Sequence, residues 1–255
     1  MAKWKKALLA GPVLACLLFC TGETSQAYGA EKNSADDHQT STQTSTFPLD
    51  SLDGLDVQSI KEDGVSVVKS NAEVVTYRGR KAVHLVPLAG HEVEEGAMLA
   101  ILTGLDFKDG TIEVDVAGAP RAGAPADMRG FIGIMFRVQA QGRRGENFYI
   151  RPTNGRSDDQ LRRNHSVQYE SEPDFPWYRL RKESPGVYEA YVDLEAAAWT
   201  RLKIEVSGTK ARLFVNGAAQ PCLIVNDLKH GESRGQIALW AHQTTEAYFS
   251  NLTVK

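Results

Sequence analysis

Apolar residues along this chain recur at every second position in short runs, and turn formers close each run. The runs begin at 65–69 and 73–78, where Arg78-Gly79-Arg80 turns the chain into 82–88. Runs at 98–102, 111–116, 131–138, 147–151 and 165–170 follow. The last third adds 187–193, 199–206, 211–215, 223–226, 236–242 and 248–254, punctuated by Gly208-Thr209 and Asn216-Gly217. A period of two marks a half-buried strand, and no stretch of ten residues keeps the 3.6 period of a capped helix. The pattern predicts an all-β fold, a two-sheet antiparallel sandwich.

Alternation also assigns faces. Ile112, Val114 and Val116 share one side of their strand, with Glu113 and Asp115 on the other. Ile132, Ile134, Phe136 and Val138 point one way, and Phe131, Met135 and Arg137 the opposite way. Phe148 and Ile150 go inward, which sends Tyr149 and Arg151 outward. If these three strands share a sheet, its outer face carries Glu113, Asp115, Arg137, Tyr149 and Arg151. Closing the sandwich brings 65–69 near the C-terminal strand at 248–254.

The first 27 residues read differently. Lys3, Lys5 and Lys6 precede an apolar run from Ala7 to Cys20, too short for a transmembrane span but suited to a signal peptide. Ser25-Gln26-Ala27 places small residues for cleavage after Ala27; the alternative is a lipoprotein anchored at Cys20. Residues 28–46 are Ser, Thr, Gln, Asn and Asp with little to bury, which predicts a disordered leader before one domain at 47–255. Periplasmic or secreted placement follows. Cys222 is then the one cysteine of the folded part, so no disulfide forms within it. A formal net charge of −3 argues against nucleic acid as a partner.

Chemistry concentrates at 147–181, which holds six arginines, one histidine and several aromatics. Connecting loops need Gly, Pro, Asn and Asp, whereas interleaved guanidiniums and rings suit a grip on a polar or anionic ligand such as a carbohydrate. The candidate ligand-binding residues are Arg137, Tyr149, Arg151, Asn154, Arg156, Arg163, Gln168, Tyr169, Trp177, Tyr178 and Arg179. Trp177 and Tyr178, on a Pro-stiffened loop, offer faces on which sugar rings stack. Trp240 divides between core and platform. His165 and Glu170 are the candidates for proton transfer; their odd separation requires His165 to sit on the loop before the strand. His165 has no second histidine at ligand spacing, so no zinc site is expected. The residues imply no cofactor, though Asp158 and Asp159 leave an oxygen-liganded calcium ion open.

Phe107-Lys-Asp-Gly-Thr-Ile-Glu-Val-Asp-Val and Gly130-Phe-Ile-Gly-Ile-Met-Phe-Arg-Val resemble core strands of concanavalin A-like, laminin-G-like jelly rolls. Trp199-Thr-Arg-Leu-Lys-Ile-Glu-Val-Ser-Gly, Ala211-Arg-Leu-Phe-Val-Asn-Gly, Gly235-Gln-Ile-Ala-Leu-Trp and Tyr248-Phe-Ser-Asn-Leu continue that resemblance over 60–255. Among jelly rolls the chain is most similar to the bacterial exported 3-keto-disaccharide hydrolases, whose name implies action on oxidised sugars. The fold hosts glycoside hydrolases, lyases and lectins alike, so a non-catalytic lectin or adhesion module stands beside the enzyme reading. A Glu-x-Asp-x-x-Glu strand of the laminarinase type is matched by Glu113 and Asp115 but ends at Gly118. Retaining hydrolysis through that strand therefore lacks a carboxylate.

Export makes a direct prediction. Mass spectrometry of the native protein should find an N-terminus near Tyr28 or a lipidated Cys20, and an intact Met1 would refute it.

Overall fold

The computed structural model describes residues 44–61, 66–87, 89–90 and 96–255. The signal at 1–27, Cys20 and the leader as far as residue 43 lie outside the described residues. In chain order the first strands are β1 (Ser45–Phe47), β2 (Leu55–Lys61), β3 (Val67–Lys69), β4 (Asn71–Tyr77) and β5 (Arg80–Val86). Next come β6 (Gly96–Leu102), β7 (Gly110–Pro120), β8 (Ile132–Gln139), β9 (Arg144–Ile150) and β10 (Val167–Glu172). The rest are β11 (Glu189–Ala190), β12 (Thr200–Ser207), β13 (Lys210–Val215), β14 (Leu223–Val225), β15 (Gln236–His242) and β16 (Thr245–Val254). Two short helices, α1 (Gln160–Asn164) and α2 (Trp177–Glu183), flank β10. None of the described helices is long and apolar enough to cross a membrane.

All pairings are antiparallel. One sheet runs β14-β13-β12-β7-β16-β5-β4, with β1 on β16; the other runs β11-β10-β9-β8-β15-β6-β2-β3. We call them sheet A and sheet B. Their facing sides supply the core: Ile112, Val114, Leu202, Ile204 and Phe249 from A meet Ile134, Phe136, Phe148, Ile150 and Leu239 from B. The alternation read from sequence is thus the alternation that builds a two-sheet jelly roll. Arg78 and Gly79, both at positive φ, make the two-residue turn between β4 and β5. That geometry matches the right-handed twist of the paired strands.

Four expectations change. β7 lies in sheet A, while β8 and β9 lie in sheet B. Period-two patterning says which face a side chain takes, not which sheet its strand joins. Glu113 and Asp115 therefore sit across the sandwich from Tyr149 and Arg151, with Arg201 bonded to both and Arg80 to Asp115. Arg137 also leaves the outer face. The β8–β9 register shifts between Phe136 and Gln139, and Arg137 takes φ 54°. Its wholly buried guanidinium donates to the Lys108, Gly208 and Gly231 carbonyls and to Asp109. Val138 is turned to the outer side in exchange. The C-terminal strand β16 pairs with β7, β5 and β1, with Ser45 opposite Val254, whereas β3 edges the other sheet. The strand accordingly reaches Ser45 and Thr46, inside the segment read as leader, because β16 offers those residues backbone partners.

Ending the chain after Phe249 should remove the wholly buried Leu252 and the backbone partners of β1. A loss on the order of 5 kcal/mol or more, close to a whole domain's stability, is expected. Thermal unfolding followed by circular dichroism checks it, and an unchanged melting temperature would contradict the pairing.

Candidate functional site

The outer face of sheet B is apolar where an antiparallel sheet would ordinarily meet water. Leu99, Ile101, Met135, Val138, Tyr149, Ala238 and Trp240 form a second buried cluster there, with Phe131 packed against it. Register explains its centre. Tyr149 lies opposite Gly133 on β8, and Gly133 opposite Trp240 on β15. A Cβ on Gly133 would fall 2.0 Å from the Phe148 carbonyl oxygen and 2.6 Å from Tyr149 Cα. With no side chain between them, the Tyr149 and Trp240 rings meet at 4.9 Å.

Loops wall this floor into a cleft of about 900 Å³, a size that fits a small ligand. One wall is the loop carrying Asp127 and Arg129; another is α2, which brings Trp177, Tyr178 and Arg181. Pro176 precedes α2, where its fixed φ starts a helix without strain. Asp159 caps α1, accepting from the Leu161 and Arg162 N–H groups, a local signature of the Ser-Asp-Asp run. This assigns Asp159 a structural task at the start of α1. Among the described residues no three His, Cys, Asp or Glu side chains cluster to hold a metal.

Arg151 is the buried cation of the cleft. Its Nη1 donates to the His165 carbonyl at 3.1 Å, its Nη2 to Tyr149 Oη at 3.0 Å, and both to Gln168 Oε1. The guanidinium also sits 5.0 Å from the Tyr149 ring centre. All these partners are neutral. Burial, opposed by the Arg151 charge, raises the Tyr149 hydroxyl well above its usual pKa.

Glu170 faces the cleft beside Asn147, whose Nδ2 donates to its Oε1 at 3.0 Å. Burial, helped by the charge of Glu172, pushes the Glu170 carboxyl up to about 8. The Asn147 bond and Arg151 pull the other way and lose. The carboxyl is mostly protonated at neutral pH and can donate.

His165 closes α1 two residues before β10 begins, so strand parity does not separate it from Glu170, and both line the cleft. Its Nε2 lies 3.2 Å from Glu189 Oε1, and Arg181 grips the same carboxylate with Nη2 at 2.7 Å. Burial holds the imidazole below its usual pKa, against the pull of Glu189. The carboxylate fixes the proton on Nε2 and leaves Nδ1 as the basic nitrogen.

The structure brings Tyr149, Arg151, Asn154, His165, Glu170, Trp177 and Tyr178 into one cleft. Gln168 lies beneath, holding Arg151. Four other candidates go elsewhere. Tyr169 points into the core, its hydroxyl on Glu146 at 2.6 Å, because β10 alternates Gln168 out and Tyr169 in. Arg156 pairs with Asp193 and Glu195 in solvent, Arg163 reaches Tyr191, and Arg179 pairs with Glu183. Sequence reasoning missed Arg129, Arg181 and Glu189, and left Arg162 outside the site. Asp127 and Arg129, charges in a Gly, Pro and Ala-rich connection, were the available signal; Glu189 gave none.

A family model described as a 3-keto-alpha-glucoside-1,2-lyase-like domain matches residues 38–255. No curated protein is similar enough in sequence to match. A Bacillus subtilis protein of unknown function with a galectin-like fold is 12% identical. That alignment covers 82% of this chain and 94% of that one, with a TM-score of 0.52, and supports the fold. A carbohydrate binding module, CBM66 from Bacillus subtilis, is 14% identical over 80% of this chain and 98% of its own, with a TM-score of 0.48.

The raised Glu170 pKa fixes a sign. Below about 4.5, the ordinary value for a glutamate, folded and unfolded carboxyls are both protonated and no penalty exists. As pH rises to about 8 the unfolded carboxyl ionises while the folded one resists, so this stability drains away. Glu170→Gln should therefore gain on wild type between pH 4 and pH 8, on the order of a few kcal/mol. Urea unfolding at both pH values reads it.

Proposed function

Because the chain belongs to the family of 3-keto-alpha-glucoside-1,2-lyase-like domains, we propose that the cleft binds a saccharide and cleaves it by proton transfer between His165 and Glu170. One observation carries this reading. A buried carboxyl held protonated and a neutral imidazole oriented by a carboxylate line the same aromatic-floored cleft.

The chemistry needs both groups. A ketone at C3 of a sugar acidifies the proton on C2. His165 Nδ1 takes that proton; the C–H electrons enter the C1–C2 bond as the C1–O bond breaks. The departing oxygen receives its proton from Glu170, so the leaving group departs as a neutral alcohol. Arg151, unpaired with any carboxylate among the described residues, offsets negative charge that develops on the ketone oxygen. The exposed Trp177 and Tyr178 supply faces for the apolar side of a sugar ring. We further propose that residues 1–27 export this activity.

Release of the aglycone from 3-oxidised and unoxidised disaccharides, measured beside tryptophan fluorescence for binding, tests the proposal. Glu170→Gln and His165→Gln should each lower turnover of the oxidised sugar by about 10²–10⁴-fold while still binding it. Arg151→Ala should weaken binding by about 1–3 kcal/mol. Undiminished turnover in Glu170→Gln removes that residue from the chemistry. Wild-type binding without turnover of either sugar leaves a lectin.

A further inference from the structure

Arg129, Arg151 and Arg162 reach the cleft from three different elements, and none makes an ion pair among the described residues. Arg129 Nη1 donates only to the Ala126 and Met128 carbonyls, each at 2.9 Å. Arg162 Nε is buried without a partner, as is Oδ1 of Asn154, which lines the same cleft and whose Nδ2 donates to the His165 carbonyl. Arg129 feels the other two charges. Burial chiefly, then Arg162 and Arg151, depress Arg129, and the exposed Asp127 opposes them.

The contrast lies within the same stretch of chain. Arg156, Arg179 and Arg181 each find a carboxylate. Carboxylates were therefore within the sequence's means, yet Arg129, Arg151 and Arg162 form no ion pair with one among the described residues, and Asp127 acts on Arg129 only at longer range. Clustered like charges without a counterion cost stability, and an anion in their midst would offset that cost.

We propose that Arg129, Arg151 and Arg162 form a subsite for an anionic substituent, a carboxylate or a sulfate ester, on the bound sugar, so that the ligand is an acidic saccharide. The inference rests on the cleft being a sugar site. Its geometry adds specificity: planar forks match the paired oxygens of either group, and the vacant Asn154 Oδ1 can accept from a neighbouring hydroxyl.

Calorimetric titration with glucuronate, glucose 6-sulfate, glucose and inorganic sulfate tests it, at low and high NaCl. Each sugar acid should bind about tenfold or more tightly than glucose, and salt should close the gap. Arg129→Gln and Arg162→Gln should each shrink that preference about tenfold, and Arg162→Lys should restore part of it. Without ligand, both glutamine variants should melt no lower than wild type, since a repulsion is removed. Equal binding of glucuronate and glucose overturns the acidic subsite and leaves the sugar cleft standing. Preference that survives both variants overturns the assignment to these arginines. Sulfate binding as tightly as glucose 6-sulfate keeps the subsite and sinks the sugar reading, and failure of all four probes sinks both.

Discussion

The site exists because sheet B is apolar on both sides. β6 and β15 turn Ala100, Leu102, Ile237 and Leu239 to the core and Leu99, Ile101, Ala238 and Trp240 away from it. An antiparallel sheet left so would expose a patch that soluble proteins rarely tolerate. The connections around α1 and α2 fold back over this face, and the space they fail to fill is the cleft. Water is held away from Glu170, His165 and Arg151 by the same covering. The altered proton affinities of Glu170 and His165 thus trace back to a hydrophobic requirement of the sheet.

Much of this was legible in the sequence. Alternation gave inward and outward sides correctly for Phe148, Tyr149, Ile150 and Arg151, since burial of one side imposes that period locally. Sheet membership was not legible, because β7 pairs with β12 and β16 from far along the chain. The inward turn of Arg137 follows from a bulge, which one inserted conformational irregularity creates and no residue type announces. The arginines of 147–181 were sorted only by tertiary position. Arg156 and Arg151 look alike in sequence, yet one meets Asp193 and the other the Tyr149 hydroxyl.

Charge is partitioned within the cleft. Desolvation neutralises the two titratable groups, one by keeping a proton and one by refusing it. Guanidiniums cannot respond in that way, so they stay charged and require partners with lone pairs. The cleft therefore combines neutral proton carriers with fixed positive charge, an electrostatic setting that ordinary solvent would erase.

The pairing of Ser45 with Val254 has a topological consequence. The two ends of the folded chain lie side by side in sheet A, while the cleft lies on the far face of sheet B. Bridged by a few residues, the backbone would be a ring, and nothing in either sheet depends on where that ring is opened. Exposed turns such as Arg78-Gly79 or Asn216-Gly217 would serve equally as beginning and end. The order in which this domain is synthesised is one of several that could specify the same sandwich and the same cleft.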